Sequence, residues 1–306
     1  DEDVSLDLVG RVRYFISKGD PIPESWRSVP DLFLMKTSPK VMITGPVDSG
    51  KTSICTYLAN TALNLSSRIA LVDADLGQGD IGPPGCVAVG MPSKQFTDLR
   101  SVKPIYVGFL GATSPSLDIE GSIREIQTSV SLAGSIGFDY LFLNTDGWVD
   151  SEGLEHKKSI AGSIRPDVVV FTGTRDGLGA SEKYLGERVV VVEQPPNIMR
   201  RDAGVRARIR SANFMRYFRG TELVVVSKNK VVDMGSHQPE EGTIVGLFKS
   251  DSFMGLGLFE GWSDNDSLRV YTNIRSFDHV KIGKSTVPMV LDLLRRKKEE
   301  ARKSAP

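Results

Sequence analysis

The chain has 306 residues, of which 40% are hydrophobic and 25% charged, and 38 basic residues balance 38 acidic ones. This balance excludes a disordered tail, a collagen-like repeat and a charge-driven coil, and the length fits about two domains around a substantial apolar core. With no net field to draw it to nucleic acid, such a partner must meet a local patch.

The two cysteines, Cys55 and Cys86, have neither metal-site spacing nor the number for a disulfide framework, which points to a reduced intracellular setting. No apolar run approaches the ~18 residues of a membrane span, so no membrane partner is expected. The start, Asp1-Glu2-Asp3, lacks the basic head and apolar core of a signal peptide, so the expected location is cytoplasmic, or nuclear in a eukaryote.

Residues 1–36 read as a lead-in. Residues 9–16 suit a short strand or helix, and Pro21, Pro23 and Pro30 break the stretch after them. Residues 41–44 form a short apolar strand that ends at Gly45. After a glycine-bearing turn, Ile54, Leu58, Ala62 and Leu65 recur at helical spacing, and 69–72 is the next apolar strand. Further strands are expected at 105–110, 140–143, 168–171 and 189–192, with a helix over 119–136. Their apolar runs are continuous rather than alternating, as in strands covered on both faces. The expectation is an α/β domain over 37–220 with a doubly wound, mainly parallel sheet.

The texture changes after residue 220. Residues 223–226 and 230–234 flank Ser227-Lys228-Asn229 as an expected hairpin, and further short strands are expected at 242–248, 255–259 and 268–271. A β-rich C-terminal domain over 221–306 is expected, closing on an amphipathic helix at 286–303 with Val290, Leu291 and Leu294 on one face. Its mixed-sign tail reads as a solvated helix end.

The sharpest motif is Gly45-Pro46-Val47-Asp48-Ser49-Gly50-Lys51-Thr52, with Ser53 after it. It matches G-x-x-x-x-G-K-[ST], with a strand before it and a helix after it. Glycines let backbone N–H groups face one concave point, and the helix N-terminus adds partial positive charge there. Lys51 reaches the β- and γ-phosphates, and Thr52 offers a hydroxyl to Mg²⁺. A P-loop NTPase sheet is therefore expected, but kinases, ATPases and GTPases share this loop.

The strand at 69–72 runs into Asp73-Ala74-Asp75-Leu76-Gly77-Gln78. Strand alternation sends both acids to one side at the end where an open α/β sheet binds its ligand. Two such acids can hold Mg²⁺, orient a nucleophile or accept its proton. Gln78 suits positioning a water or bracing an acceptor. Residues 200–219 hold seven arginines against the single acid Asp202, a local +6 patch. Arg206 and Arg210 share a helical face. A mobile arginine lid over transferring phosphate, a solvated basic helix and an RNA-backbone contact are all compatible with it.

These motifs resemble those of the polynucleotide 5′-hydroxyl kinases, a family of RNA kinases in tRNA splicing, pre-rRNA processing and mRNA 3′-end cleavage with archaeal relatives, and the chain resembles an archaeal-type member. The loop, the acids as D/E-x-D-x-G-Q, and Arg201, Arg206 and Arg210 at a spacing of five then four carry the resemblance. Thr113-Ser114-Pro115 and Asn144-Thr145-Asp146-Gly147-Trp148 (similar to N-T-x-G-W) support it. The stretch before residue 37 is shorter than the N-terminal β-domain that helps some members hold the base.

The resemblance implies ATP and Mg²⁺ as cofactors, RNA or DNA 5′-hydroxyl ends as acceptors, and RNA-processing partners. It implies that residues 45–53 hold the nucleotide and that Thr52, Asp73 and Asp75 serve the metal. Lys51, Asp75, Arg201, Arg206 and Arg210 would be catalytic, with Asp75 as general base. Gln78, Thr113, Ser114, Thr145 and Trp148 would meet the nucleic acid, the indole as a stacking platform; a packing tryptophan is the plainer alternative. Trp26 and Trp262 have no motif around them and read as structural, and His156, His237 and His279 form no ligand set. Two other functions fit the same residues: a P-loop ATPase or GTPase switch, and a silent ATP-binding subunit of an RNA-processing assembly. No N-K-x-D motif comes after the strand at 168–171, where Gly173-Thr174-Arg175-Asp176 stands instead.

Overall fold

The computed structural model describes residues 20, 22–65, 68–174, 185, 189–196, 198, 201–233, 238–264 and 267–303. The element expected at 9–16, together with Arg200 and His237, lies outside these residues.

Seven strands form the first sheet: β1 (Lys40–Thr44), β2 (Ile69–Ala74), β3 (Cys86–Gly90), β4 (Pro104–Phe109), β5 (Tyr140–Thr145), β6 (Val168–Thr172) and β7 (Val189–Val192). Their order is β4-β3-β2-β5-β1-β6-β7. All run the same way except β3, which pairs antiparallel with both β2 and β4. β1 lies between β5 and β6. Chain order therefore reverses around the strand that carries the glycine loop, which opens a crevice at the C-terminal edge.

Each face of this sheet has its own core. On one, Ile54, Leu58 and Ala62 of α2 (Lys51–Leu63) pack against Val41, Ile43, Leu71 and Phe142. On the other, Ile126 and Ala133 of α3 (Ile119–Ile136) and Ile160 and Ile164 of α4 (Ser151–Ile164) pack against Met42, Val72 and Leu143. Coverage on both sides is why these strands lack alternation. The stretch read as a lead-in contributes to the first core: Trp26 on α1 (Glu24–Arg27), with Val29 and Phe33, is buried there. The Trp26 indole N–H donates to the Glu193 carbonyl at 2.8 Å, which ties this stretch to the end of β7.

The second sheet holds β8 (Glu222–Ser227), β9 (Val231–Asp233), β10 (Thr243–Lys249), β11 (Ser252–Asp264), β12 (Ser267–Thr272) and β13 (His279–Thr286), in the order β8-β12-β11-β10-β13-β9. The expected hairpin between the first two does not form. β8 and β9 lie at opposite edges, paired with β12 and β13, and Lys228–Lys230 is a short 3-10 turn between them. Local turn chemistry was overridden by partners far away in sequence.

Two helices cover one face of this sheet. Phe214 on α5 (Ala203–Tyr217), Phe218 just after it, and Val290, Leu291 and Leu294 on α6 (Pro288–Lys303) pack with Ile244, Leu256, Leu258 and Tyr271. Cys86 of β3 joins the same cluster, so the two sheets share a core. The arginine-bearing helix thus has its apolar end fixed in the C-terminal domain.

Candidate active site

The glycine loop comes directly after β1 and ends at Gly50, the N-cap of α2, with φ of 91°. Asp48 also adopts a left-handed φ, 56°. A Cβ at Gly45 would stand 2.3 Å from Thr172 Oγ1, so only glycine lets the loop lie this close to the end of β6. Ser49 is fully buried and hydrogen-bonds Thr172, so its hydroxyl braces the loop from below instead of facing a ligand. Val47 and Ser53 are exposed, and Pro46 and Thr52 are partly buried.

Lys51 is 6% exposed, and its Nζ donates to the Pro46 carbonyl at 2.7 Å. Burial holds its pKa below the ordinary lysine value, opposed by the nearby Asp75 and Asp146 carboxylates. A phosphate would offer this ammonium a stronger, charged acceptor than a carbonyl.

The acids at the end of β2 divide in role. Asp73 is buried and accepts the Asp80 and Ile81 N–H groups at 2.7 and 3.1 Å, the Asn144 amide at 3.2 Å and the Asp75 N–H at 3.4 Å. With both oxygens engaged, it ties down the loop over 79–81. Asp75 accepts the Gly77 and Gln78 N–H groups at 3.1 and 2.9 Å, both on Oδ1. Its pKa is pushed up to about 6, first by burial and then by Asp146 and Asp73, against the pull of Lys51.

The lid arginines reach across the crevice. Arg201 donates its backbone N–H to Asp48 Oδ2 at 3.0 Å and its guanidinium to Gln78 Oε1 at 3.4 Å. Arg206 lies 3.9 Å from Asp48 Oδ2 and donates to the Arg201 carbonyl. Arg210 has a buried Nε with no hydrogen-bond partner among the described residues, an unmet donor suited to an anion.

These segments meet beside Gly77. A Cβ there would lie 3.1 Å from the Thr113 carbonyl, 3.6 Å from Asp75 Oδ1 and 3.9 Å from Arg210 Nη2. The second acid, the Thr113-Ser114-Pro115 turn and the lid thus ring one small space. Ser114 caps the 3-10 turn Pro115–Leu117.

The loop after β5 closes the other side. A Cβ at Gly147 would stand 2.5 Å from Val47, so this loop rests on the glycine loop. Trp148 is half-buried, its ring 5.8 Å from the His156 ring, and its backbone N–H donates to Asp146 Oδ1 at 2.8 Å. Thr145 departs from expectation. It is fully buried and donates to the Ile43 carbonyl at 2.9 Å, because β5 pairs with β1 at this level. It holds two strands together and cannot touch an acceptor from there.

The residues that sequence reasoning passed over lie beneath this loop. Lys157 is fully buried, and its Nζ donates to Asp146 Oδ2 at 2.6 Å. His156 is 2% exposed, shares a 2.7 Å hydrogen bond with Ser122, and is pushed down to about 4 by burial. An acid and a lysine eleven positions apart carry no local signal of pairing.

Among the described residues no group of three His, Cys, Asp or Glu side chains makes a metal cage. Thr52 and Asp75 offer hard oxygen donors next to the phosphate loop. That set fits Mg²⁺, which takes its remaining ligands from phosphate and water. Among the described residues no helix is long and apolar enough to cross a membrane.

Residues 45–220 match the family described as mRNA cleavage and polyadenylation factor CLP1 P-loop. The chain is 31% identical over 199 residues to a polyribonucleotide 5′-hydroxyl-kinase of Thermococcus kodakarensis, covering 64% of this chain and 56% of that protein. It is 27% identical over 202 residues to one of Pyrococcus furiosus, covering 66% and 57%. With polyribonucleotide 5′-hydroxyl-kinase Clp1 of Danio rerio it shares 27% over 200 residues, covering 60% and 44%. The chain spans about half the length of these curated relatives. A solved structure of the wild-type Clp1p-Pcf11p (454–563) complex has the same fold, with a TM-score of 0.65 over 86% of this chain and 77% of that one at 12% identity.

Proposed function

The chain belongs to the mRNA cleavage and polyadenylation factor CLP1 P-loop family, and from that membership and its site we propose that it transfers the γ-phosphate of ATP to the 5′-hydroxyl of an RNA end. The observation that carries the reading is the space beside Gly77. There a base-competent carboxylate, a lid arginine with an unmet donor and the Thr113 turn come together next to the phosphate-loop lysine.

In this reading the backbone of residues 45–50 and Lys51 hold the β- and γ-phosphates. Asp75, whose carboxylate lies beside Gly77 and the Thr113 turn, takes the proton of the attacking hydroxyl. The new bond joins the acceptor oxygen to the γ-phosphorus, and the bond to the β,γ-bridging oxygen breaks to release ADP. Arg201, Arg206 and Arg210 stabilise charge on the transferring group. Thr52 and Asp75 would hold Mg²⁺, which when bound would neutralise charge on the phosphates. Asp73 acts as the support of that side, fixing Asp75 and the 79–81 loop. Gln78, Thr113, Ser114 and Trp148 position the terminal nucleotide, with the indole offering a stacking face.

DNA ends as alternative acceptors, protein partners in RNA processing and an intracellular setting belong to the same proposal. The last is supported by Cys55 and Cys86, which are both buried and unpaired.

The test is label transfer from γ-labelled ATP to a short RNA with a free 5′-hydroxyl, with Mg²⁺, beside Lys51→Ala. Labelled RNA that depends on Lys51 and fails with a 5′-phosphorylated RNA supports the kinase. Released phosphate without labelled RNA overturns it in favour of a switch. Bound ATP with neither product overturns it in favour of a silent subunit.

A further inference from the structure

The C-terminal sheet reaches into the candidate site at one place. Opposite Ile244 of β10, strand β13 carries three residues, since Thr243 pairs with Thr286 while Val245 pairs with Ile282. Gly283, Lys284 and Ser285 therefore bulge out of the ladder, and the Lys284 and Ser285 N–H groups bond outside it. Bulges of this kind re-aim side chains and gather next to active sites.

All three residues turn to the loop that precedes α3. The Lys284 and Ser285 N–H groups both donate to the Gly111 carbonyl, at 2.8 and 2.9 Å. Gly111 itself has a left-handed φ of 68°. The two backbones touch so closely that a Cβ on Gly283 would stand 2.7 Å from the Gly111 oxygen, and one on Gly111 would stand 2.4 Å from Gly283 Cα. The Lys284 ammonium reaches Asp118, the N-cap of α3, at 2.7 Å. Ser285, 6% exposed, accepts the Thr113 N–H at 2.8 Å and lies 3.2 Å from the Thr113 hydroxyl.

The Thr113 carbonyl in turn abuts Gly77, beside Asp75 and Arg210. A short chain of contacts thus runs from the bulge to the proposed base. We propose that Ser285 is a positioning residue for the acceptor: the bulge Gly283-Lys284-Ser285 fixes the Thr113 turn, and the C-terminal domain is thereby part of the acceptor site. This rests on the kinase reading above. Without the Ser285 hydroxyl, the partly buried Thr113 N–H loses its partner and the turn loses its register against Asp75.

The test is steady-state kinetics with a 5′-hydroxyl RNA and ATP varied separately. Ser285→Ala is expected to raise the acceptor KM about five-fold or more, the worth of one such hydrogen bond, and to leave the ATP KM unmoved. Ser285→Thr, which keeps the hydroxyl, restores the acceptor KM. An unmoved acceptor KM, or equal shifts in both KM values, would each overturn the inference while leaving the kinase reading intact. If Ser285→Ala does not fold, Ser285→Cys, of similar volume and poor hydrogen bonding, takes its place with the same expected split. Wild-type protein that phosphorylates no 5′-hydroxyl RNA overturns the kinase reading, and the inference with it.

Discussion

The Asp48 carboxylate, inside the phosphate loop, accepts the backbone N–H of Arg201 at 3.0 Å, at the start of the lid. The guanidinium groups of Arg201 and Arg206 lie 3.8 and 3.9 Å from the same carboxylate. One acid therefore latches the lid to the loop that it covers. Partly exposed ion pairs contribute about 0.2–1 kcal/mol each, and a hydrogen bond to a charged acceptor about 1.5–3 kcal/mol, so the backbone contact dominates. Asp48→Ala is expected to speed tryptic cleavage at Arg201 and Arg206 several-fold in the absence of nucleotide. Unchanged cleavage would show that the helix packing alone holds the lid.

Asp75→Asn keeps the size of the side chain and removes the proton acceptor. Loss of a general base costs about 10²–10⁴-fold, so kcat should fall by that factor while the affinity for metal-free ATP stays close to wild type. Single-turnover transfer with equilibrium ATP binding on the same samples separates the two. Transfer at the wild-type rate would remove Asp75 from the base role.

Trp148→Ala removes a stacking face with a value of about 1–3 kcal/mol per base. The acceptor KM should rise roughly 5- to 100-fold with little change for ATP. If only the ATP KM moves, the indole serves the nucleotide side or the packing beneath it.

The buried pair of Lys157 and Asp146 should behave asymmetrically. Removing one partner leaves a charge in the core, a loss of about 3–5 kcal/mol, whereas replacing both removes that penalty. Lys157→Met is therefore expected to lower Tm sharply, and Lys157→Met with Asp146→Asn to recover much of it. Thermal unfolding of the two variants and wild type decides the point. A double variant as unstable as the single one would show that packing volume matters more than charge.

His156 gives the stability a pH dependence. In the unfolded chain it takes up a proton near its ordinary 6.5, but in the fold only at about 4. Between these values the unfolded state binds more protons, so stability present above pH 6.5 is lost as pH falls toward 4. The shift corresponds to a loss of about 3 kcal/mol at most. Asp75, raised to about 6, acts with the opposite sign, so the readout is the difference between proteins: in denaturant unfolding at pH 7, 5.5 and 4.5 the stability of wild type relative to His156→Gln should fall as pH falls. An equal slope in the variant would assign the effect to other groups.

How far the sequence reached depends on whether a feature is contiguous. The glycine loop, the Asp73 to Gln78 turn and the lid each occupy a short run with fixed spacing, and the structure brings all three to one crevice. The parallel strands were legible because burial on both faces erases polar positions. β3 was missed because its five residues come after a loop rich in glycine and proline, and nothing local marks a reversed strand. Thr145 and Ser49 sat in the right motifs, but one end of a motif can face the core while the other faces the ligand. The bulge in β13 was invisible, since it exists only relative to the residues that pair across from it.

The contact between Thr113 and Ser285 joins residues 172 positions apart. On the ribosome, where N-terminal units fold first, the phosphate loop, both acids and the lid arginines emerge before the strand that clamps the acceptor turn. A nascent chain released before Gly283 would thus present the nucleotide-holding parts beside a turn still missing its clamp. The order of synthesis thus places the bulge of β13 after every segment that would hold the nucleotide.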